Sequence, residues 1–152
     1  MSLELVTLRH ISVRHVHGDR FTSEDIGDES AFKARFGLTI EVEDSKKDTD
    51  EFRFQIGQKF EAVAPSTNEP FFNIEIAGHF SADDNEIIRE WIDTREGAYA
   101  LGATLFPYLR SLAKPLLEGL GAAQIEFPWS TPQIAKVPEK SHTKKKTIKK
   151  TK

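Results

Sequence analysis

Residues 32–42 decide the fold class, and they read Phe32-Lys33-Ala34-Arg35-Phe36-Gly37-Leu38-Thr39-Ile40-Glu41-Val42. Every second residue of this stretch is apolar, and the residues between are mostly charged, polar or small. Because successive side chains of a β-strand point to opposite faces, a period of two predicts a strand. One face of that strand is expected to be buried, and the other to meet solvent.

The same alternation returns twice further along the chain. The second run contains Phe52, Phe54, Ile56, Phe60 and Ala62. The third run contains Phe72, Ile74, Ile76, Gly78 and Phe80. A charged link over 44–50 and a turn over 65–70 separate the three runs, so neighbouring strands are expected to be antiparallel.

The segment from Leu3 to Val16 is also rich in β-branched residues, which favours a strand. Strict alternation puts Leu5, Ile11 and Val13 on one face and Val6 and Leu8 on the other. Apolar residues on both faces predict a strand that is covered on both sides, for example by a partner subunit.

The period of the apolar pattern changes after the third run. Ser81 is a candidate N-cap, because acidic residues follow it where a helix dipole favours negative charge. The apolar residues of this helix are Ile87, Ile88, Trp91 and Ile92. Their spacing is that of one helical stripe.

A second helix is predicted from about Thr104 to Leu120, with Gly97–Gly102 interrupting the helical region before it. Pro107 is tolerated there if Thr104 caps the helix, because proline fits the first turn. Four strands followed by two helices predict an α+β domain. Its architecture is expected to be a four-stranded antiparallel sheet with two helices on one face.

The charge of the chain is unevenly distributed. The 152 residues include 21 basic and 24 acidic ones; eight lysines and one glutamate of these lie in 136–152, which leaves 13 basic and 23 acidic residues in 1–135. An acidic body argues against nucleic acid as a ligand. The basic tail has almost nothing to bury, so we predict one domain over 1–135 and a disordered lysine-rich tail over 136–152.

The sequence shows no specific catalytic motif. The absence of cysteine excludes disulfides, thiolate nucleophiles and cysteine-based zinc sites. There is no glycine-rich phosphate loop, and His15 and His17 lack a third ligand at a matching spacing. We therefore expect no enzymatic activity, no cofactor and no metal. No apolar stretch is long enough for a membrane span and no signal peptide is evident, so we expect no membrane insertion and a cytoplasmic location.

Aromatic residues are abundant, with eleven phenylalanines, two tryptophans and two tyrosines. We assign Phe36, Phe52, Phe54 and Phe60 to the core. Phe71 lies opposite Phe72 in the strand alternation, and Trp91 lies on a short helix beside a glycine-rich segment. We expect both to be exposed, which would mark an interaction surface.

Two motifs resemble the SecB family of bacterial protein-export chaperones. One is Gly97-Ala98-Tyr99 followed by Leu105-Phe106-Pro107-Tyr108-Leu109-Arg110. The other is the strand Ile74-Glu75-Ile76-Ala77-Gly78-His79-Phe80 that precedes it. The resemblance covers residues 70–120, and the earlier strands resemble the family only in their pattern.

The resemblance implies a cytoplasmic chaperone that binds unfolded preproteins and keeps them translocation-competent. It implies a homo-oligomer built as a dimer of dimers, and the SecA motor as a further partner. The peptide-binding residues that it implies are Phe71, Phe72, Ile74, Ile76, Trp91, Tyr99 and Leu101. No residue is expected to be catalytic.

The chain also departs from the family pattern. The segment Gln124–Ser130 does not match the sequence that usually follows the long helix, and lysines replace the usual acidic tail. Three alternatives stay open. One is a SecB-like chaperone dedicated to a single partner, such as an antitoxin. The others are a non-catalytic protein-interaction module and a small-molecule-binding domain or enzyme.

Overall fold

The computed structural model describes residues 3–20, 32–43, 51–64, 68–83, 86–123, 125–133 and 140–143. The strands are β1 (Val6–Gly18), β2 (Lys33–Glu43), β3 (Glu51–Val63), β4 (Pro70–Asp83) and β5 (Lys140–Thr143). The helices are α1 (Glu86–Ile92) and α2 (Arg95–Gly119), and a 3-10 turn over Leu3–Leu5 precedes β1. Among the described helices, none is both long and apolar enough to cross a bilayer.

The strands form one sheet in the order β1-β4-β3-β2-β5. The strands β1, β4, β3 and β2 pair with one another in antiparallel fashion, and β5 is parallel to β2. The prediction of a four-stranded antiparallel sheet with two helices is therefore confirmed.

The core lies between the sheet and the helices. The alternating apolar residues of β3 and β4 are buried, and Phe52, Phe54 and Phe60 lie in the core as predicted. α2 contributes its buried stripe, which includes Leu101, Leu105 and Leu109. Close approach of α2 to the sheet depends on Gly78, because a Cβ at that position would overlap the Leu105 side chain.

β1 contains two bulges that the alternation did not predict. Its register with β4 shifts between Leu8 and His10 and again between Val13 and His15. Each shift adds one residue to β1, so the side chains after it point to the face opposite to the one that strict alternation predicts. As a result, the apolar residues of β1 lie opposite helix-facing residues of β4, in the pairs Val6–Ala82, Leu8–Phe80, Ile11–Gly78, Val13–Ile76 and Val16–Ile74. The prediction that this strand is apolar on both faces is wrong.

The second bulge also directs Arg14 to the face of the sheet away from the helices. There its guanidinium donates to Glu41 at 2.9 Å, to Gln55 at 2.7 Å and to Glu75 at 3.3 Å. These three acceptors lie on β2, β3 and β4, respectively. One side chain of β1 therefore links all four antiparallel strands.

The helices begin at different residues from those predicted. Ser81 is not an N-cap but a buried residue of β4, and its hydroxyl accepts from Arg9 at 2.6 Å. α2 begins at Arg95 rather than near Thr104, and its N-cap is Thr94, whose hydroxyl accepts from the Gly97 amide at 3.0 Å. The glycine-rich segment does not interrupt the helix, because Gly97 and Gly102 lie on its buried side.

The basic tail contributes one short strand. Its residues Lys140–Thr143 pair with Ile40–Glu43 of β2. The prediction that all of 136–152 is disordered is wrong for these four residues, because an edge strand pairs with extended backbone whatever its side chains are. Residues 136–139 and 144–152 lie outside the described residues, and the domain boundary at 135 stays a prediction.

Candidate functional site

A groove opens between β2, the first half of α2 and the segment 125–133. It contains a cavity of about 190 Å³ whose lining includes Phe36, Leu38, Gln58, Tyr99 and Gly102. Thr131, Pro132 and Gln133 close its other side. A wider depression of about 500 Å³ shares Tyr99 and Gln133 with this cavity, so the two form one continuous surface.

The position of β2 next to the sheet edge explains why this groove is open. Phe36 and Leu38 point towards the helices as the alternation predicts, but both are only half-buried. Gly102 allows α2 to come close to β2, since a Cβ there would lie 3.1 Å from Leu38 Cδ1. Tyr99 stands at the rim with 37% of its surface exposed.

A buried amide lies at the floor of the groove. Gln58 is 3% exposed and occupies a helix-facing position of β3. Its Nε2 donates to the Gly102 carbonyl at 3.4 Å, while its Oε1 has no hydrogen-bond partner among the described residues. An unpaired buried oxygen costs about 1–3 kcal/mol, and such groups often serve a function. This amide is a buried polar group in an otherwise apolar part of the core.

The segment 125–133 forms one wall of the groove. Residues 125–133 have no regular secondary structure, and Phe127 inserts its ring 4.3 Å from Phe60 and 6.3 Å from Phe36. Trp129 stacks on the Arg110 guanidinium at 4.3 Å. No backbone hydrogen bond joins 126–133 to the other described residues. Side-chain contacts therefore hold this segment in place.

The structure does not bring the predicted site residues together at a surface. Five of the seven lie in the core: Phe72, Ile74, Ile76, Trp91 and Leu101. The prediction that Trp91 is exposed is wrong, because only 7% of its surface meets solvent. β4 lies inside the sheet, between β1 and β3, and α2 packs on β3 and β4. The helix therefore covers the side chains on this face of β4.

Phe71 and Tyr99 are the two predicted residues outside the core. Phe71 is half-buried and packs against the outside of the core, with its ring 5.9 Å from that of Phe32. Tyr99 lines the groove. The sequence interpretation missed Gln58, although a glutamine between Ile56 and Phe60 breaks the apolar pattern and could have revealed it.

A polar cavity of about 460 Å³ lies on the other face of the sheet. Its cationic side chains, Arg9 and Arg53, both pair with Glu51, at 2.8 and 2.7 Å. His10 and His79 stack there with ring centres 3.9 Å apart. Among the described residues, no three histidine or carboxylate side chains come together in a way that could hold a metal ion. The arrangement is that of a paired surface network.

Acidification is expected to destabilise the protein through His79. Burial lowers the pKa of its imidazole below the ordinary value, and the neighbouring His10 lowers this pKa further. The unfolded chain therefore binds this proton more readily than the folded chain. The free energy of unfolding should be highest above the ordinary histidine pKa of about 6.5, and it should decrease as the pH falls below that value.

The measurement is Tm by circular dichroism between about pH 7.5 and about pH 5.5, on either side of that value. His79→Gln should flatten the pH dependence. If Tm falls by the same amount between these two pH values in the wild type and in His79→Gln, the prediction is wrong.

No protein-family model matches the chain, and no curated protein sequence matches it. Solved structures, however, share its arrangement of strands and helices. One is the SecB-like chaperone of Mycobacterium tuberculosis, solved in complex with a peptide from the HigA1 antitoxin. It is 13% identical with a TM-score of 0.52, and the match covers 81% of this chain and 89% of that one. The fold is SecB-like.

A second match is a protein of unknown function from Streptococcus agalactiae. It is 16% identical with a TM-score of 0.50, over 74% of this chain and 87% of that one. At such identities the likeness extends to the fold alone, and the function has to be argued from the site.

Proposed function

We propose that the protein is a non-catalytic chaperone that holds extended segments of non-native polypeptides in the groove lined by Phe36, Leu38 and Tyr99. One observation carries the proposal: an open groove with a largely apolar lining lies beside β2, and its far wall is an irregular segment of the chain. The SecB-like fold supports it, as does the bound peptide of the Mycobacterium tuberculosis chaperone.

The chemistry of the groove suits clients without a common sequence. Most of its lining surface is apolar, and an apolar surface requires no fixed pattern of side-chain hydrogen bonds. Each large apolar side chain that a client buries there contributes about 1.5–3 kcal/mol.

Substitutions in the groove should weaken client binding without unfolding the protein. Leu38→Ser and Tyr99→Ser are each expected to reduce affinity for a denatured client about tenfold, which corresponds to the loss of about 1.4 kcal/mol of apolar contact. Tm should fall by only a few degrees, because neither side chain is fully buried. The measurements are suppression of aggregation of several unrelated denatured proteins, and thermal unfolding.

Ile87→Ser is the matched control, since Ile87 is an exposed apolar residue on α1 outside the groove. It should leave client binding unchanged. Loss of binding in this control, or wild-type binding in both groove variants, would count against the proposed site.

A chaperone dedicated to one partner is the second candidate function, and the antitoxin peptide in the matched structure favours it. Suppression of aggregation separates the two. A general holdase protects several unrelated denatured proteins, whereas a dedicated chaperone protects its own partner only.

The cellular role that we propose is cytoplasmic: keeping preproteins translocation-competent and passing them to the SecA motor. The support for this role is the SecB-like fold. Calorimetric titration of purified SecA with the protein tests it, and the absence of binding would remove SecA from the proposal while leaving the holding activity in place.

We further propose that the protein assembles as a homo-oligomer through the exposed apolar residues of β1 and α2. The C-terminal end of α2 lies near β1, where Leu120 packs on Gly18. These exposed residues are Val13, Val16, Tyr108, Leu112 and Leu116. Their spacing on α2, four residues apart, puts the helical ones in a single row.

Light scattering at micromolar concentration is expected to show a dimer or a tetramer. Leu112→Glu together with Leu116→Glu should shift the protein to monomer, because two charges would be buried in the contact. Ile87→Glu is the control and should not change the mass. A wild-type monomer would overturn the proposed assembly.

A further inference from the structure

The outer edge of β2 is only partly paired. β5 covers it from Ile40 to Glu43, while no described strand pairs with Lys33–Thr39 on that side. The unpaired part includes Phe36 and Leu38, which line the groove. An unpaired edge and an apolar groove therefore lie side by side.

The two edges of the antiparallel sheet differ in how well they can accept another strand. β2 pairs with β3 from Lys33 to Val42 without a register shift, so its backbone groups are regularly spaced. The backbone of β1 is interrupted by bulges at Arg9 and Arg14. Bulges disrupt the ladder of a strand and blunt its edge. β2 is therefore the edge suited to strand addition.

The tail shows what this edge accepts. Lys140–Thr143 come from a lysine-rich segment whose composition predicts no structure, yet they pair with β2 residue by residue. Strand addition draws its affinity from main-chain hydrogen bonds, which every polypeptide can make. Pairing with so unspecialised a sequence indicates that the β2 edge selects extended backbone rather than particular side chains.

We propose that an extended segment of a client polypeptide adds as a parallel strand along the whole edge of β2, from Lys33 to Glu43, and displaces β5 from Ile40–Glu43. This proposal rests on the proposed holding function and names how the same groove engages its client. Backbone hydrogen bonds to β2 hold the client, and every second client side chain points towards the groove beside Phe36 and Leu38. The preferred ligand is an extended segment with an apolar residue at every second position.

β5 is then a competitor within the chain. While Lys140–Thr143 occupy Ile40–Glu43, a client can pair only with the remainder of the edge. Only molecules in which β5 is unpaired can bind a long client along the whole edge. The apparent affinity for such a client is therefore the intrinsic affinity multiplied by the fraction of molecules with β5 unpaired.

The first test asks whether the client backbone is used. The probe is a fluorescein-labelled peptide of eleven residues, the length of β2, with valine or phenylalanine alternating with serine or lysine. Two derivatives carry N-methyl groups at the odd or at the even positions. Because alternate N–H groups of a strand face opposite sides, one derivative should bind about tenfold more weakly and the other like the parent. Equal affinities of the two derivatives would overturn strand addition.

The second test asks whether β5 competes. The full-length variant Ser141→Pro/His142→Pro removes two adjacent backbone N–H groups. Because successive N–H groups of a strand point to opposite sides, one of the two must face β2. It should bind the parent peptide about threefold to tenfold more tightly than the wild type. The matched control, Ser141→Ala/His142→Ala, keeps both N–H groups and should bind like the wild type. Equal affinities of the proline and alanine variants would show that the client does not take the place of β5.

The outcomes separate this proposal from the holding function. If the wild type does not bind the parent peptide and does not protect denatured proteins, the holding function itself is wrong. If it binds the parent peptide but does not discriminate between the two N-methyl derivatives, clients bind through side chains, and only the strand-addition proposal is wrong.

Discussion

Replacing Trp91 with serine is expected to lower the free energy of unfolding by about 3–5 kcal/mol. The side chain is 7% exposed and belongs to the core formed by the sheet and both helices. Serine would leave a cavity and a hydroxyl in apolar surroundings, and the tertiary structure cannot collapse fully around either. Urea unfolding followed by circular dichroism measures the loss, which should appear as a lower midpoint with an unchanged slope.

Trp129→Ser is the matched control. Trp129 is 88% exposed, and its described contact is the stacking on Arg110. Its removal should change stability by less than about 1 kcal/mol. In the Trp129→Phe background, the emission of Trp91 should resist a soluble quencher. Strong quenching, or equal losses of stability in the two serine variants, would place Trp91 at the surface instead.

Replacing Gly97 with alanine is expected to destabilise the protein by about 1–3 kcal/mol, although alanine is the better helix former. A Cβ at Gly97 would overlap the Trp91 carbonyl oxygen and lie 3.1 Å from Trp91 Cδ2. That carbonyl cannot easily move away, because it accepts from the Thr94 amide at 2.9 Å and from the Thr94 hydroxyl at 2.7 Å. The corner between α1 and α2 therefore requires glycine.

Gly119→Ala tests the same substitution at the other end of α2. A Cβ there meets no atom within 4 Å, so the helical preference of alanine should raise stability, by up to about 1 kcal/mol. Opposite signs for Gly97→Ala and Gly119→Ala are the expected result in urea unfolding. A gain in stability in both variants would mean that the corner can open to admit a side chain.

The sequence predicted the strands β2, β3 and β4 well, because alternation depends only on which face of a strand is buried. It also predicted that β1 is a strand, but it assigned the wrong faces to its side chains, since a bulge at Arg9 or Arg14 leaves no mark in the residue types around it. The start of α2 was missed for a related reason. From the sequence alone, Gly97 is interpreted as a helix breaker. The structure shows that glycine is needed there because a Cβ would overlap the backbone of Trp91.

The candidate site was harder to predict than the fold. Alternation states which side chains point towards the helices, but it does not state whether their strand is central or near the edge. Ile74 and Ile76 are fully buried because β4 has strands on both sides, whereas Phe36 and Leu38 on β2 remain half-exposed. Both pairs have the same pattern in the sequence. The order of strands, which arises from long-range pairing, decides between them.

The bulges of β1 also bear on how its relatives can be recognised. A strand with a bulge is one residue longer than a regular strand that presents the same face. A homologous protein that lacked the bulge at Arg14 would keep every apolar contact of β1 and yet be one residue shorter in the middle of the strand. Correct alignment of the two would need a gap inside a regular element, where gaps are usually penalised. Divergence of this kind lowers sequence similarity while the fold stays the same.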